Sequence, residues 1–200
     1  MNKYSEGEVV MLEILKNTLE ESPIVKKGDY DYVVHPITDG VPEIKPELLR
    51  EVVNEIKNHI LKDYDKIVAV EAMGLPIGAI LSIELNKPLV IIRKKSYGLP
   101  GEISVEQKTG YSKSKLFING LEPEDKIIIV DDVLSTGGTL KALLTVLIDM
   151  GVNVVDVIVV IEKGNNKDQV EKETGMEIKT LVKLDVMDGK IVVSDVISED

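Results

Sequence analysis

The sequence predicts an α/β fold built on a doubly wound, mainly parallel β-sheet with a β-hairpin at its carboxyl-terminal end. Between residues 46 and 174, short apolar runs alternate with segments whose apolar residues recur at helical spacing, the pattern of repeated βα units. Beyond them, two strand-like segments flank Met187-Asp188-Gly189-Lys190, a hairpin signal. Sheets of this kind bind their ligands at the carboxyl ends of the strands.

Two amphipathic helices are predicted before the first central strand. The first spans about residues 8–19, with apolar residues at helical spacing: Met11, Leu12, Leu15 and Leu19. The second begins at Pro46, since proline is tolerated in the first helical turn, and its apolar face is formed by Leu48, Leu49, Val52, Val53, Ile56 and Ile60. Residues 22–44, between them, are predicted to be irregular, with several short strand-like pieces such as Tyr32-Val33-Val34. The chain thus divides into an N-terminal segment, 1–44, and a core, 45–200, within one compact domain overall.

The core elements alternate between strand and helix. In chain order we expect a strand over 66–70, a helix near 75–84, a strand over 89–93, a long polar loop over 94–115, a strand over 126–130, a helix over 139–150, a strand over 152–161, a short helix near 167–174, and hairpin strands over 177–185 and 191–196. Glycine-rich turns follow the first and third of these strands.

Composition argues against several classes of protein. Hydrophobic residues make up 44% of the chain and aromatic residues 4%, so a sizeable aliphatic core is expected. No apolar run approaches the roughly 18 residues of a transmembrane helix, and the first residues lack the pattern of a signal peptide. The absence of cysteine fits a cytoplasmic protein. The net charge of −11 argues against nucleic acid as a partner, because its backbone needs a basic surface.

Residues 127–139 are the most informative part of the chain. Ile127 to Val130 predict a buried strand, and two carboxylates, Asp131 and Asp132, follow at its carboxyl end. A tight turn into the next helix is then formed by Ser135, Thr136, Gly137, Gly138 and Thr139. A small-residue turn at a helix N-terminus cradles phosphate, because its amides approach the anion and the helix dipole favours negative charge.

The two carboxylates indicate more than a phosphate. As acceptors just upstream of a phosphate site, Asp131 and Asp132 suit the vicinal hydroxyls of a ribose 5-phosphate. The alternative is an ordinary βα turn capped by Ser135 or Thr136, but a cap needs one hydroxyl and not this whole constellation. The 13-residue segment resembles the phosphoribosyl pyrophosphate (PRPP) signature of type I phosphoribosyltransferases.

The resemblance implies transfer from PRPP through an oxocarbenium-like ribose, with pyrophosphate as the leaving group. Mg²⁺ is the expected cofactor, bridging pyrophosphate and ribose oxygens. We expect PRPP itself to carry the ion, and among side chains only Asp131 or Asp132 to approach it. With Arg93, these two carboxylates are the expected catalytic residues.

Two segments are expected to bind the pyrophosphate. The turn after the first core strand, Ala72-Met73-Gly74, offers backbone amides, although a glycine there also suits a simple turn. The basic run Arg93-Lys94-Lys95 ends the second strand, where a solvated charge run is the alternative. The turn resembles that of adenine phosphoribosyltransferases, but Met73 stands where those enzymes have arginine. The basic run, followed by Leu99-Pro100-Gly101, resembles adenine and xanthine phosphoribosyltransferases. Residues 102–115 are expected to act as a lid, with Tyr111 and Lys113 as pyrophosphate contacts.

Lys163, at the end of the strand over 152–161, is the expected base-binding residue. An ammonium donates to the O6 and N7 acceptors of a 6-oxopurine, whereas adenine presents an amino donor there; a solvated strand-end lysine is the alternative. In the families resembled, a hood like residues 30–42 covers the base, which makes His35 a second candidate, alongside a purely structural role. Some hypoxanthine–guanine enzymes have an aspartate base where this chain has Ser135, so Glu102, Glu106 or water must accept any proton.

Three further segments resemble archaeal-type hypoxanthine/guanine phosphoribosyltransferases. They begin at His35 (His-Pro-Ile-Thr-Asp-Gly-Val-Pro), Tyr97 (Tyr-Gly-Leu-Pro-Gly-Glu) and Gln107 (Gln-Lys-Thr-Gly-Tyr-Ser-Lys). The resemblance implies salvage of purine bases to IMP and GMP by a homodimer. Adenine, xanthine and orotate phosphoribosyltransferases are the alternatives among enzymes, with adenine the main one. A PRPP-sensing transcription regulator is disfavoured by the acidic charge and by the lack of a helix-turn-helix pattern.

Overall fold

The computed structural model describes residues 12–28, 30–109 and 112–195, and its elements follow the predicted alternation. In chain order they are α1 (Glu13–Glu20), β1 (Ile24–Lys27), β2 (Tyr30–Val33), α2 (Pro36–Asp39), α3 (Pro46–His59), β3 (Lys66–Val70), α4 (Gly74–Leu85), β4 (Leu89–Ile92), β5 (Ile103–Thr109), β6 (Ser112–Ile118), β7 (Lys126–Leu134), α5 (Gly138–Asp149), β8 (Asn153–Lys163), α6 (Lys167–Thr174), β9 (Lys179–Met187) and β10 (Lys190–Asp195).

Six strands form the central sheet in the order β10-β9-β8-β7-β3-β4. All neighbours are parallel except β10, which pairs antiparallel with β9 as the predicted hairpin. The predicted fold class is therefore confirmed. Because β3, β7 and β8 are adjacent and parallel, the residues that follow β3, those that end β7 and Lys163 at the end of β8 meet at one edge of the sheet.

The sheet is buried on both faces. Along β3, Ile67 and Ala69 pack into one apolar cluster with α1, α3 and α4, while Val68 and Val70 pack into another with α5, α6 and the β5–β6 hairpin. A strand covered on both faces needs apolar residues at every position, which explains the continuous apolar runs in the sequence.

The N-terminal helix shares the core of the remaining chain. Leu15 and Leu19 of α1 are fully buried in the cluster that also contains residues of α3. The start of α1 is capped from α3, since the amides of Ile14 and Leu15 donate to the two carboxylate oxygens of Glu51 at 3.1 and 2.7 Å. The described part of segment 1–44 thus packs directly on the core.

Two sequence-based boundaries are wrong. The stretch over 94–115 is not a continuous polar loop, because β5 and β6 form an antiparallel hairpin. Val105, Leu116 and Ile118 of this hairpin are buried against the cluster that includes α5, so the hairpin is anchored by packing. The strand predicted over 126–130 continues to Leu134, which places Asp131 and Asp132 inside β7. Among the described residues, no helix is long and apolar enough to cross a membrane.

Candidate active site

Asp131 and Asp132 lie side by side near the carboxyl end of β7. Asp132 is buried, with 9% of its surface exposed, and its amide donates to Asp131 Oδ1 at 3.0 Å. Burial raises the pKa of both carboxyls, and the neighbouring charge of Asp131 raises the pKa of Asp132 further. Lys94 opposes the shift at Asp131. The pair therefore favours a shared proton until a ligand that donates hydrogen bonds, or a cation, stabilises its charged form.

The loop after β7 presents unpartnered amides at a helix start. Gly137 has a φ of 72°, which glycine adopts without strain, and α5 begins at the next residue. Within the described part of the chain, the amides of Thr136, Gly137, Gly138 and Thr139 donate to no other group. A cavity of about 50 Å³ lies at this loop, lined by Asp131, Val133, Leu134, Ser135, Thr136, Gly137, Thr139, Leu140 and Val159. This arrangement suits a phosphate.

A second cavity, of about 170 Å³, lies between the sheet edge and the N-terminal segment. Its lining comprises Leu19, Tyr30, Tyr32, Val33, His35, Thr38, Val133, Ser135, Ile161, Lys163 and Leu184. Val133 and Ser135 line both cavities. A flat, mostly apolar ligand in the larger cavity and a phosphate in the smaller one would therefore be joined across these two residues.

Lys163 is the lysine of this lining. Its Nζ donates to the carbonyl oxygen of Asp31 at 3.3 Å and lies 4.6 Å from the ring centroid of Tyr30 and 5.5 Å from that of Tyr32. The aromatic rings hold the ammonium by cation–π attraction while leaving donor capacity for a ligand. The sequence-based interpretation missed both tyrosines, although two aromatic residues close together are noticeable in a chain with few of them.

His35 has a structural role in the cavity wall. It is fully buried, and its Nδ1 accepts from the amide of Ile37 at 3.2 Å, so it caps α2. The proton must then be on Nε2, which lies 3.0 Å from Thr18 Oγ1. Burial lowers the pKa of His35 to about 4. Because both ring nitrogens are engaged, the structure does not support the predicted contact of His35 with a base.

Asp39 fixes the segment that covers the larger cavity. Its carboxylate accepts from Tyr32 Oη at 2.6 Å, from the amide of His35 at 3.0 Å and from Thr38 Oγ1 at 2.7 Å. The hydrogen bond to the Asp39 carboxylate raises the pKa of Tyr32 to about 12, so the phenol stays protonated. From the sequence, Asp39 has no assigned role of its own and lies only within the segment that begins at His35.

The structure brings the turn 72–74 and the basic run together. The amides of Ala72, Met73 and Gly74 donate to no other group in the described part of the chain. The Met73 side chain lies close to Gly40, in the segment that covers the larger cavity. A Cβ built on Gly40 would lie 3.5 Å from the Cε atom of Met73. Gly74 approaches the carboxylate of Asp131. The peptide bond between Glu71 and Ala72 is cis.

Glu71 ties the basic run to this turn. Its Oε2 lies 3.1 Å from Arg93 Nε and accepts from the amide of Lys94 at 2.9 Å. The guanidinium carbon of Arg93 also lies 5.7 Å from the ring centroid of Tyr97. Amides and cations thus border the same region, next to Asp131, which is the arrangement that a pyrophosphate needs.

Glu102 and Glu106, the two carboxylates expected in the lid, do not line the larger cavity that contains Lys163. Glu102 accepts from Ser96 Oγ at 2.5 Å, Asn119 Nδ2 at 3.0 Å and the amides of Tyr97 and Gly98 at 3.0 and 3.2 Å. These donors, Ser96 first, lower the pKa of Glu102 to about 2. Glu106 pairs with Lys115 at 3.3 Å. The expectation that either acts as a base is therefore not supported.

Tyr111 and Lys113 are the two lid residues assigned to pyrophosphate. Tyr111 lies outside the described residues. Of Lys113, the backbone is described, as part of β6, where it pairs with Lys108. Their predicted contacts stay predictions.

A wider cleft lies on the other side of the phosphate loop. It has a volume of about 460 Å³ and is lined mainly by β5, α5 and α6, including Glu106, Lys141 and Glu173. Its two carboxylates against one ammonium make it a poorer match for an anionic ligand than the amide-lined cavity.

Comparison with known proteins gives concordant matches. The phosphoribosyl transferase domain model matches residues 43–187. Proteins named hypoxanthine/guanine phosphoribosyltransferase are 55% identical over 181 residues in Methanobacterium lacus and 53% identical over 189 residues in Methanobacterium paludis. These alignments cover 90% and 94% of this chain and 95% and 100% of the relatives.

Similar solved structures are adenine phosphoribosyltransferases. The enzyme from Thermoanaerobacter pseudethanolicus has a TM-score of 0.72 at 24% identity, with 86% of this chain and 99% of that chain covered. The enzyme from Rhodothermus marinus has a TM-score of 0.69 at 25% identity, with 86% and 98% covered. These structural matches bear on the fold.

Proposed function

The chain belongs to the phosphoribosyl transferase domain family, and we propose that it is a purine-salvage enzyme that converts hypoxanthine or guanine, with PRPP, into IMP or GMP and pyrophosphate. The single observation that carries the proposal is the pair of cavities joined across Val133 and Ser135. A purine suits the larger cavity, a 5-phosphate suits the smaller one, and the ribose lies between them beside Asp131 and Asp132.

Lys163 supports a 6-oxopurine as the base. Its ammonium donates to the oxo group and N7 of hypoxanthine or guanine, whereas adenine would place an amino donor against another donor. Adenine remains a second candidate because the solved structures of similar fold are adenine enzymes and because the turn over 71–74 resembles theirs. In this chain Met73 occupies the position of the arginine in the adenine enzymes' turn, and it packs near Gly40. This difference favours a 6-oxopurine as the substrate.

Catalysis is assigned to charge stabilisation around the reacting ribose. Asp131 and Asp132 accept hydrogen bonds from the ribose hydroxyls and stabilise the positive charge that develops on the ring. Arg93, Lys94 and the amides of residues 72–74 stabilise the departing pyrophosphate, which we expect to be the largest contribution. We propose that the β5–β6 hairpin limits water at the site when substrate is bound, the lid role expected of residues 102–115.

The proposal includes Mg²⁺ as cofactor. No three histidine, cysteine, aspartate or glutamate side chains of the described chain gather around one point. Two adjacent carboxylates with raised pKa values do fit a cation brought by the substrate, because the ion supplies the charge that stabilises their ionised form. Asp131 and Asp132 would hold the ion on the ribose side, and Mg²⁺ would neutralise pyrophosphate oxygens.

Among the residues that the structure describes, no carboxylate lines the cavity assigned to the base, which limits how the base loses its proton. The aspartate found there in some related enzymes is Ser135 here, and the Tyr32 phenol is already bound to Asp39. We propose that water accepts the proton, in line with one of the options that the sequence left open.

We also propose a cytoplasmic homodimer. Helix α4, Gly-Leu-Pro-Ile-Gly-Ala-Ile-Leu-Ser-Ile-Glu-Leu, is apolar around much of its circumference, yet Ile83 is 81% exposed. It packs beside the edge strand β4, whose first three residues are only partly buried. An apolar helix next to an apolar sheet edge suits contact with a second copy. A cysteine-free chain suits the cytoplasm.

Product formation from PRPP and Mg²⁺ tests the proposal, with hypoxanthine, guanine, adenine and xanthine offered separately. We expect IMP and GMP to form with a catalytic efficiency at least about 100-fold above that for AMP, as a site with an unmatched donor requires. Equal turnover of adenine would replace this assignment by the adenine alternative.

A further inference from the structure

Helix α6 lies directly behind the phosphate loop, and its first turn contacts the loop backbone. Val170 is 3% exposed, and its Cγ2 lies 2.3 Å from the position that a Cβ on Gly137 would occupy. Only a residue without a side chain allows this approach. The loop is therefore supported on one face by packing against α6.

Asn166 adds a polar contact to this packing. It occupies the N-cap position of α6, where asparagine usually accepts a hydrogen bond from an amide of its own helix. Here the side chain makes no such cap and instead its Nδ2 donates to the carbonyl oxygen of Ser135 at 2.9 Å. A helix-capping residue that serves another segment indicates a role in that segment.

The bonded carbonyl belongs to the same peptide unit as the amide of Thr136. In a trans peptide the C=O and the following N–H point in opposite directions, so fixing one fixes the other. Holding the Ser135 carbonyl toward α6 turns the Thr136 amide away from α6, and that amide has no partner in the described chain. The hydrogen bond also polarises the peptide and makes the amide a better donor.

We infer that Asn166 is a positioning residue that orients the Thr136 amide toward the 5-phosphate, an inference that rests on the proposed function for the identity of the ligand. It does not touch the reacting atoms. Its contribution is preorganisation, because the loop then need not rearrange when the phosphate binds.

Asn165 offers a matched control. Its Oδ1 accepts from Lys183 Nζ at 2.6 Å, so its side chain contacts β9 and not the phosphate loop. Asn166→Ala removes the contact to Ser135, and Asn166→Asp keeps the size of the side chain but offers no donor to the carbonyl. Asn165→Ala removes an amide of the same size one residue away.

Two ligands separate positioning from a general structural effect. We expect Asn166→Ala and Asn166→Asp to weaken ribose 5-phosphate binding, measured by calorimetry, by about 3- to 10-fold, the range for one hydrogen bond. The Michaelis constant for PRPP should rise similarly with kcat within about twofold. Pyrophosphate binding, at the turn over 72–74, should not change, and Asn165→Ala should match the wild type for both ligands.

Several outcomes would overturn the inference. Unchanged ribose 5-phosphate binding in both Asn166 variants excludes an orienting role. If the variants bind ribose 5-phosphate and pyrophosphate equally more weakly and also have a lower melting temperature, Asn166 contributes to general stability instead. If the wild type binds ribose 5-phosphate but forms no purine nucleotide, the proposed function fails while the binding comparison still decides the role of Asn166.

Discussion

Gly74 lies against Asp131, so closely that a Cβ on the glycine would be 3.0 Å from the carboxylate oxygen Oδ1 and 3.1 Å from the carbonyl oxygen of Val130. The residue begins α4, in the turn assigned to pyrophosphate, while Asp131 is assigned to the ribose. The absence of one side chain therefore determines how closely the two halves of the PRPP site approach each other.

Gly74→Ala should separate these halves. The φ of Gly74 is not in the left-handed region, so alanine fits the backbone and the added methyl group is the main change. The turn or the carboxylate must move, and misplacement of groups near the reacting atoms can cost up to about 100-fold in kcat. Steady-state kinetics measure the loss, and circular dichroism checks that the variant is folded. Wild-type kcat in a folded variant would contradict the proposed proximity.

Asp132→Asn should lower catalytic efficiency without unfolding the protein. A hydrogen bond to a charged acceptor contributes about 1.5–3 kcal/mol, which corresponds to roughly 10- to 150-fold in kcat/KM. Asp149→Asn, on the exposed end of α5, removes the same charge elsewhere and should leave activity unchanged. If Asp131→Asn and Asp132→Asn both keep full activity, the carboxylates have a structural role alone.

Lys163→Gln should narrow the preference for 6-oxopurines over adenine, mainly through loss of hypoxanthine and guanine turnover. Glutamine offers both an acceptor and a donor, whereas the ammonium only donates. The ratio of kcat/KM values for hypoxanthine and adenine measures the effect. Lys172→Gln, on an exposed position of α6, is the charge-matched control. An unchanged ratio in Lys163→Gln would remove Lys163 from base selection.

Glu102→Gln should raise the Michaelis constant for PRPP without removing the acidic limb of the pH–rate profile. The Glu102 carboxylate organises the loop from Ser96 to Gly98, which begins just after the basic run. With a pKa of about 2, this carboxylate is ionised throughout the working range. Loss of the acidic limb in the variant would instead restore Glu102 as a general base.

His35 should make folding stability depend on pH between about 6.5 and 4. Its pKa falls from 6.5 in the unfolded chain to about 4 in the folded one, so the unfolded state binds more protons within this window. Stability contributed by neutral His35 is present above pH 6.5 and is lost as the pH falls to 4, by about 3 kcal/mol in total.

His35→Asn isolates this contribution. Asparagine can still cap α2 but does not titrate. The unfolding free energy of the variant should therefore fall less than that of the wild type between pH 7 and pH 4. Denaturant unfolding at both pH values gives the difference. Parallel losses in the two proteins would show that His35 is not buried in its neutral form.

The phosphate loop and the alternation of strands and helices along the chain were predictable because they depend on local patterns. Continuous apolar runs such as Ile127–Val130 require burial on both faces. The small residues Thr136 to Thr139, placed between such a run and an apolar-periodic helix, are typical of a strand-to-helix turn that binds phosphate. The hairpin over 103–118 escaped prediction because its polar residues concealed the alternation at Val105, Leu116 and Ile118, whose burial depends on α5.

The sequence by itself determined the fold class, the phosphate loop and the candidate carboxylates, since each follows from residues adjacent in the chain. Tertiary structure alone decided that His35 is a buried cap, that Glu51 caps α1 and that Asn166 holds the carbonyl of Ser135. Polar side chains can serve many partners at similar energy, and only packing of distant segments selects one of them. A pattern therefore identifies the groups that can bind, and the fold decides which of them remain available to a ligand.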